Sequence, residues 1–93
     1  MYRLRLAKAF KKGVAICKKE GRNLEDLWAI VDLLVEDGRV PVECGLHELK
    51  DKYAGCLECH IDDDWVLVWQ QDDNRLTLLM TTTGTHEYVF GKH

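Results

Sequence analysis

The feature that most constrains the fold of this chain is an uninterrupted apolar run, Trp65–Trp69, with the sequence Trp-Val-Leu-Val-Trp. Successive side chains of an extended strand point to opposite faces of a sheet, so this run presents apolar groups on both faces. A strand of this kind is typical of the buried interior of a sheet, whereas a half-exposed strand alternates apolar and polar residues. We therefore predict a central strand, covered on one side by helices.

Two amphipathic helices are predicted to precede that strand. The first extends from Ala7 to Gly21, with lysines opposite its apolar positions, and the glycine is a natural helix stop. The second follows Asn23, whose side chain suits an N-cap, and ends near Gly38. Because so few residues separate the two helices, they should form a hairpin. Their apolar positions are Ala7, Phe10, Val14 and Cys17, then Leu24, Leu27, Ile30 or Val31, Leu34 and Val35.

The remaining elements are short strands joined by turns. The segment from Pro41 to Tyr53, which contains the only proline, is predicted as a loop. Acidic connections at Asp62–Asp63 and Asp72–Asn74 are typical of hairpins. The order predicts an α+β fold, β-α-α-β-β-β with an optional last strand, in which the helical hairpin packs on one face of a small, mostly antiparallel, twisted sheet. The predicted strands are Tyr2–Leu6, Cys56–Ile61, Trp65–Gln71 and Arg75–Thr82, with a last short strand or turn at His86–Phe90.

Length and composition limit the class of protein. Ninety-three residues fit one domain, residues 1–93. No apolar run approaches the roughly 20 residues that span a bilayer, and the N-terminal segment lacks the apolar region of a secretory signal. We expect a cytoplasmic domain without membrane contact, in which the four cysteines are reduced thiols.

Charge is distributed unevenly along the chain. Residues 1–22 carry eight basic side chains and one acidic one, while the rest of the chain carries five basic and fifteen acidic side chains. A basic stripe can follow a phosphate backbone. Lys8, Lys11 and Lys12 on the first helix are therefore candidate RNA contacts, and a merely solvated helix face is the alternative.

The segment Cys56-Leu-Glu-Cys59-His60 matches the C-x-x-C-H pattern of c-type haem attachment, and with Cys44 or His47 it is also a candidate zinc site. Cysteines three apart in a strand point to opposite faces, so both thiols cannot easily reach one ligand. The expected export signal and a second ligand pair are also missing. We therefore expect no metal and no cofactor.

Three histidines, His47, His60 and His86, lie beside turn signals or strand ends. Across a short connection, His60 faces Asp64 and Trp65, which would bring an imidazole, a carboxylate and an indole to one sheet edge. Imidazole is the side chain that changes charge near neutral pH, so the group suits acid–base catalysis beside a stacking platform. Each histidine alone is more often an ordinary surface residue.

The pattern of His47, Gly55, His60-x3-Asp64-Trp65 and Gly84-Thr85-His86-x3-Phe90 resembles the YafQ branch of the RelE/ParE toxin superfamily over nearly the whole chain. The resemblance implies a bacterial type II toxin–antitoxin toxin that cleaves mRNA in the ribosomal A site and is silenced by a cognate antitoxin, with DNA contacted only through that antitoxin. It further implies that His47, His60, Asp64 and His86 form the acid–base group. Trp65 and Phe90 would position the substrate or complete the site.

Acid–base chemistry agrees with that implication, because RNA cleavage without metal needs a base, an acid and positive charge near the phosphate. Two departures leave an alternative open. Family members commonly carry an arginine where this chain has Thr82, and the chain is acidic overall, with a net charge of −3. The alternative is a catalytically weak or inactive member that acts only by binding protein, as an antitoxin partner or in the manner of ParE.

Overall fold

The computed structural model describes residues 1–91, which form five strands and three α-helices. Two short 3₁₀ turns, Val42–Cys44 and Asp51–Tyr53, flank the second strand. None of the helices within residues 1–91 combines the length and the apolar character that crossing a membrane requires. The elements in chain order are β1 (Arg3–Leu6), α1 (Lys8–Lys19), α2 (Leu24–Asp37), β2 (His47–Glu48), β3 (Leu57–Asp62), β4 (Trp65–Asp72), β5 (Thr77–Gly84) and α3 (His86–Phe90).

The five strands form one mixed sheet in the order β1-β5-β4-β3-β2. β1 runs parallel to β5, and the other neighbouring pairs are antiparallel. β4 occupies the centre of the sheet, and all five residues of Trp65–Trp69 are buried. The predicted α+β fold and the predicted central strand are confirmed.

The helices α1 and α2 cover one face of the sheet, here called the helix-covered face. Their buried side chains pack against residues of β3, β4 and β5 such as Cys59, Leu67 and Met80. At Gly13, α1 approaches β5 so closely that an added Cβ would collide with the carbonyl oxygen of Thr83. A side chain at this position would push the helix off the sheet, so glycine is required there.

The opposite face of the sheet, here called the open face, carries a smaller apolar cluster. Cys56, Val66 and Val68 pack there with Val89 of α3. The hydroxyl of Tyr53 donates a hydrogen bond of 3.1 Å to the carbonyl oxygen of Val89. These contacts hold α3 against part of the open face. The remainder of that face stays accessible.

The predicted helix cap is confirmed, whereas the predicted long loop was wrong. Asn23 caps α2, since its side chain accepts a hydrogen bond of 3.0 Å from the backbone N–H of Glu25. The predicted loop from Pro41 to Tyr53 contains β2, which pairs with β3. A strand of two residues has no periodicity to detect, so the pairing is visible only in the folded chain.

The last segment, His86–Phe90, is a helix and not the predicted strand or turn. The side chain of Thr85 caps it by accepting a hydrogen bond of 3.0 Å from the N–H of Tyr88. One turn of helix is too short to show an apolar stripe, and packing against the open face stabilises it. β5 also begins later and ends later than predicted, at Thr77–Gly84.

Candidate active site

The candidate site lies on the open face, where β2, β3 and α3 meet. The cross-strand partner of Glu58 is Val68 and that of His60 is Val66, and both valines belong to the open-face cluster. Directly opposed residues of an antiparallel pair project to the same face. Glu58 and His60 therefore point to the side of the sheet on which α3 places His86.

Asp64 lies in the two-residue turn between β3 and β4, and its carboxylate binds the first residue of α3. Its Oδ1 accepts hydrogen bonds from the backbone N–H of His86 at 3.0 Å and from the ring Nδ1 of His86 at 2.8 Å. An ionised carboxylate only accepts, so Nδ1 carries a proton and Nε2 faces away from Asp64. The two bonds, the backbone one foremost, hold the pKa of Asp64 below its ordinary value.

His60 and His86 form a pair of imidazoles. Their Nε2 atoms are 3.4 Å apart and their ring centroids 5.3 Å apart. A hydrogen bond between two nitrogens contains one proton, so one ring donates while the other accepts. The predicted pairing of Asp64 with His60 was wrong, and Asp64 pairs with His86 instead. The reason is that Asp64 lies beyond the end of the β3–β4 ladder, where α3 begins.

His47 joins this pair through Glu58, a residue that the sequence analysis missed. The Glu58 side chain is only 3% exposed, and its Oε1 forms a salt bridge with Nε2 of His47 on the neighbouring strand. The His47 ring stacks near that of His60, with centroids 6.4 Å apart. The alternation along β3 could have revealed Glu58, because it precedes His60 by two residues and so shares its face.

Phe90 lies one helical turn after His86 and flanks its ring. The two ring centroids are 6.0 Å apart, and the edge of Tyr53 supports Phe90 at 5.8 Å. The structure therefore brings together five of the residues predicted for the site: His47, His60, Asp64, His86 and Phe90. These five residues and Glu58 are here called the histidine cluster.

Trp65 was predicted to contact substrate, and its position is at odds with that role. It is 1% exposed and packs in the cluster of the helix-covered face. Its indole Nε1 donates a hydrogen bond of 3.0 Å to Oγ1 of Thr83, and the guanidinium of Arg22 lies 5.7 Å from its ring centroid. Alternation along β4 directs Val66, not Trp65, toward His60, so the indole supports the site from inside the core.

The predicted lysine contacts also lie away from the histidines. Lys8, Lys11 and Lys12 are on α1, which packs on the helix-covered face through Phe10 and Cys17. Any contact of these lysines with RNA would use a different surface from the histidine cluster.

Thr82, where an arginine was expected, is buried on β5 opposite Val68. It therefore shares the open face with Glu58 and carries no charge. In the part of the chain that the structure describes, no arginine or lysine forms a hydrogen bond or salt bridge with a residue of the histidine cluster.

A divalent cation would find one set of ligands in the cluster. One potential ligand atom each from Glu58, His60 and His86 lies within 4.8 Å of the others. Two imidazoles and a carboxylate suit zinc or copper. A cation held there would occupy the same nitrogen lone pairs that proton transfer needs.

The C-x-x-C-H pattern does not form one ligand set. Cys56 lies in the open-face cluster and Cys59 in the helix-covered one, so the two thiols point to opposite sides of the sheet as predicted. Burial raises the pKa of Cys59 to about 12, which disfavours the thiolate that metals and haem chemistry require.

Comparison with known sequences gives a family match over almost the entire chain. The family described as "Bacterial toxin of type II toxin-antitoxin system, YafQ" matches residues 2–91. The mRNA interferase toxin YafQ of Escherichia coli strain B / BL21-DE3 is 28% identical over 83 residues, which are 88% of this chain and 88% of that protein.

Solved structures show the same fold. The E. coli DinJ-YafQ complex contains a chain that superposes with a TM-score of 0.87 at 25% identity, covering 98% of this chain and 100% of that one. A metal-bound toxin from Helicobacter pylori superposes with a TM-score of 0.85 at 29% identity, covering 97% of this chain and 100% of that one.

Proposed function

The chain belongs to the YafQ family of toxins from bacterial type II toxin–antitoxin systems, and from that premise we propose that it is an mRNA endoribonuclease that works by histidine acid–base catalysis without a metal. One observation carries the proposal: His60 and His86 present their Nε2 atoms to each other at 3.4 Å, while Asp64 holds the far side of His86. The name of the similar E. coli protein, an mRNA interferase toxin, supports the same activity.

The reaction is a transesterification within the RNA. A base removes the proton of a 2′-hydroxyl, the 2′-oxygen attacks the adjacent phosphorus, and the bond from phosphorus to the 5′-oxygen breaks. An acid gives a proton to the departing 5′-oxygen. The products are a 2′,3′-cyclic phosphate and a free 5′-hydroxyl, so no water and no oxidant are consumed in this step.

We assign the acid to His86 and the base to His60. Asp64 fixes the Nδ1–H tautomer of His86 and stabilises its imidazolium form, in the way that a carboxylate supports a catalytic histidine elsewhere. The hydrogen bond between the two Nε2 atoms then leaves His60 as the neutral, accepting partner. Entry of the phosphate between the rings, which first requires the two Nε2 atoms to move apart from their 3.4 Å contact, would place a base and an acid on either side of the phosphorus.

His47 is assigned to the phosphate rather than to proton transfer. Glu58 engages its Nε2, so Nδ1 remains for the substrate. Because Thr82 supplies no charge, the positive charge that stabilises the phosphorane must come from His86 and His47. Loss of a single such donor in other enzymes costs about 10²–10³ in rate, so activity lower than that of arginine-containing relatives is expected.

We propose the partners and the location from the family match. An antitoxin protein is the natural inhibitor, as supported by the DinJ-YafQ complex of the similar E. coli protein. We infer that the single domain of residues 1–93 acts in the cytoplasm on mRNA in the ribosomal A site, touching DNA only through its antitoxin.

The test is induced expression of the wild type beside His60→Ala and His86→Ala, with Asp63→Asn as a control that removes a neighbouring exposed carboxylate. Growth arrest by wild type and control, and its loss in both histidine variants, is the expected result. Transcript ends should carry the 5′-hydroxyl and the cyclic phosphate. Equal toxicity of all four proteins would overturn the assignment.

A second function, protein binding without catalysis, is favoured by Thr82 and by the net charge of −3. In that case the purified protein would bind its antitoxin but leave ribosome-bound mRNA intact. Thr82→Arg separates the two, because a restored guanidinium should raise cleavage only in a protein whose histidines are active.

A further inference from the structure

A groove of about 790 Å³ lies on the open face and shares no lining residue with the histidine cluster. It is lined by residues of β1, β4 and β5 and by Gly55. β1 pairs in register with β5, so Arg3 lies beside Thr77 and Arg5 beside Leu79. Since Leu78 and Met80 point into the helix-covered core, the alternate positions of β5 and their β1 neighbours face the open side.

The groove is strongly basic for its size. Arg3, Arg5 and Arg75 line it, and Asp72 is the one acidic side chain among the described residues that line it. The carboxylate of Asp72 already accepts hydrogen bonds of 3.0 Å from the backbone N–H groups of Asn74 and Arg75. Among residues 1–91 none of the three guanidinium groups has a carboxylate within salt-bridge distance.

Three guanidinium groups without a carboxylate partner among residues 1–91 match a polyanion better than a protein segment. Arginine binds phosphate oxygens through two parallel N–H donors. None of the described lining residues is aromatic and able to stack on bases, so the groove would hold the backbone without reading sequence. The exposed amide of Gln70 adds a neutral donor on the same face.

We propose that this groove binds the sugar–phosphate backbone of single-stranded RNA and leads it to the histidine cluster. The proposal rests on the proposed endoribonuclease function and deepens it by naming the substrate path. β1 and β3 are three strand spacings apart, about 14 Å across the sheet. Along the strands, the pairings place His60 level with Gly84, five residues beyond Leu79, which adds an offset of about 16 Å. One RNA strand would therefore span about 21 Å to contact both sites. The groove therefore replaces the lysines of α1 as the proposed RNA contact, since α1 packs on the helix-covered face.

The experiment compares two triple glutamine variants of the full chain, with a triple lysine variant as the rescue. The groove variant is Arg3→Gln/Arg5→Gln/Arg75→Gln, and the matched control is Lys18→Gln/Lys19→Gln/Arg39→Gln, which removes the same charge from exposed positions outside the groove. Fluorescence anisotropy with a labelled single-stranded RNA is measured over a range of salt concentrations. Arg3→Lys/Arg5→Lys/Arg75→Lys retains the charge and should restore most of the binding.

Removal of one arginine–phosphate interaction should reduce the slope of log affinity against log salt by about 0.7, so the groove variant should show a slope smaller by about 2. The control should keep its slope, and both variants should melt at the wild-type temperature. Equal loss of affinity in both triple variants would overturn the proposal, because overall charge would then explain the binding. So would unchanged RNA binding with loss of antitoxin binding, which would make the groove a protein site.

The failure of the groove and the failure of the activity are distinguishable. If wild type cleaves no RNA but its RNA binding depends on the three arginines, the groove is supported and the catalytic assignment is refuted. A second outcome is that the groove variant keeps both the wild-type cleavage rate at saturating RNA and the wild-type RNA concentration for half-maximal rate. In that case the activity stands and the proposed role of the groove in RNA binding is refuted.

Discussion

Asp64 holds His86 by two bonds to one oxygen atom, from the backbone N–H at 3.0 Å and from the ring Nδ1 at 2.8 Å. The first bond fixes where α3 begins and the second fixes which ring nitrogen faces His60. A residue in a turn thereby sets both the position and the tautomer of a residue on another element. This relationship makes Asp64 a positioning residue whose effect is open to measurement.

Asp64→Asn should reduce cleavage by about 10²–10⁴-fold with little change in RNA affinity. The amide can still accept the backbone bond, but it does not stabilise an imidazolium. The measurement is the single-turnover rate beside that of Asp63→Asn, which keeps the His86 contact. A rate for Asp64→Asn equal to that of its control would remove Asp64 from the site.

Acid should destabilise the protein through Asp64. Its pKa lies below the ordinary 3.8 in the folded chain, chiefly because of the backbone hydrogen bond from His86. A carboxyl group whose pKa is lower in the folded chain than in the unfolded chain stabilises the fold at pH values above the unfolded-state pKa. That contribution is lost as the pH falls through the folded-state pKa. Urea midpoints measured from neutral pH downward should therefore drop more steeply below about pH 4 for wild type than for Asp64→Asn. Parallel curves would contradict the assignment.

Glu58→Gln should lower the cleavage rate by about 10- to 100-fold, less than loss of a catalytic histidine. Glutamine preserves the volume in this buried position but removes the charge that holds His47. The control is Glu48→Gln, an exposed neighbour on β2. The pH profile of the rate should change in Glu58→Gln and not in the control, whereas a purely structural role would lower stability without altering the profile.

Trp65→Phe should lower the free energy of unfolding by about 1–3 kcal/mol, because the bond to Thr83 is removed and the smaller ring packs imperfectly. Cleavage per folded molecule should stay near the wild-type value. Trp69→Phe is the matched control, because its indole also donates a hydrogen bond, to Gln71 at 2.9 Å. A selective loss of RNA affinity in Trp65→Phe would restore the indole as a substrate contact.

A chelator that removes transition metals and leaves magnesium in solution should not slow cleavage. Added zinc should slow it, because Glu58, His60 and His86 can trap the ion and block both imidazoles. The check is cleavage of ribosome-bound mRNA with chelator, with zinc, and with both. Loss of activity on chelation and its return with zinc would show a metal-dependent enzyme.

Much of the fold was predictable because its information is local. The apolar run Trp65–Trp69 places β4 at the centre of the sheet, and Asn23 marks the start of α2. Alternation along β3 separates Cys56 from Cys59 and excludes a shared ligand. These predictions depend on the two-residue and 3.6-residue repeats of strands and helices and on the preference of asparagine for the N-cap.

The sequence by itself determined the fold class, the central strand and the set of histidines and the aspartate that make the candidate site. Only the tertiary structure decided which groups meet: Asp64 with His86 instead of His60, Glu58 with His47, and Trp65 with Thr83 on the helix-covered face. The two-residue repeat of a strand assigns each side chain to one face of the sheet. Which residues meet across a turn or between distant strands depends on where each strand ends and where the chain turns. Such long-range contacts are settled by the packing of the whole chain, which no local pattern encodes.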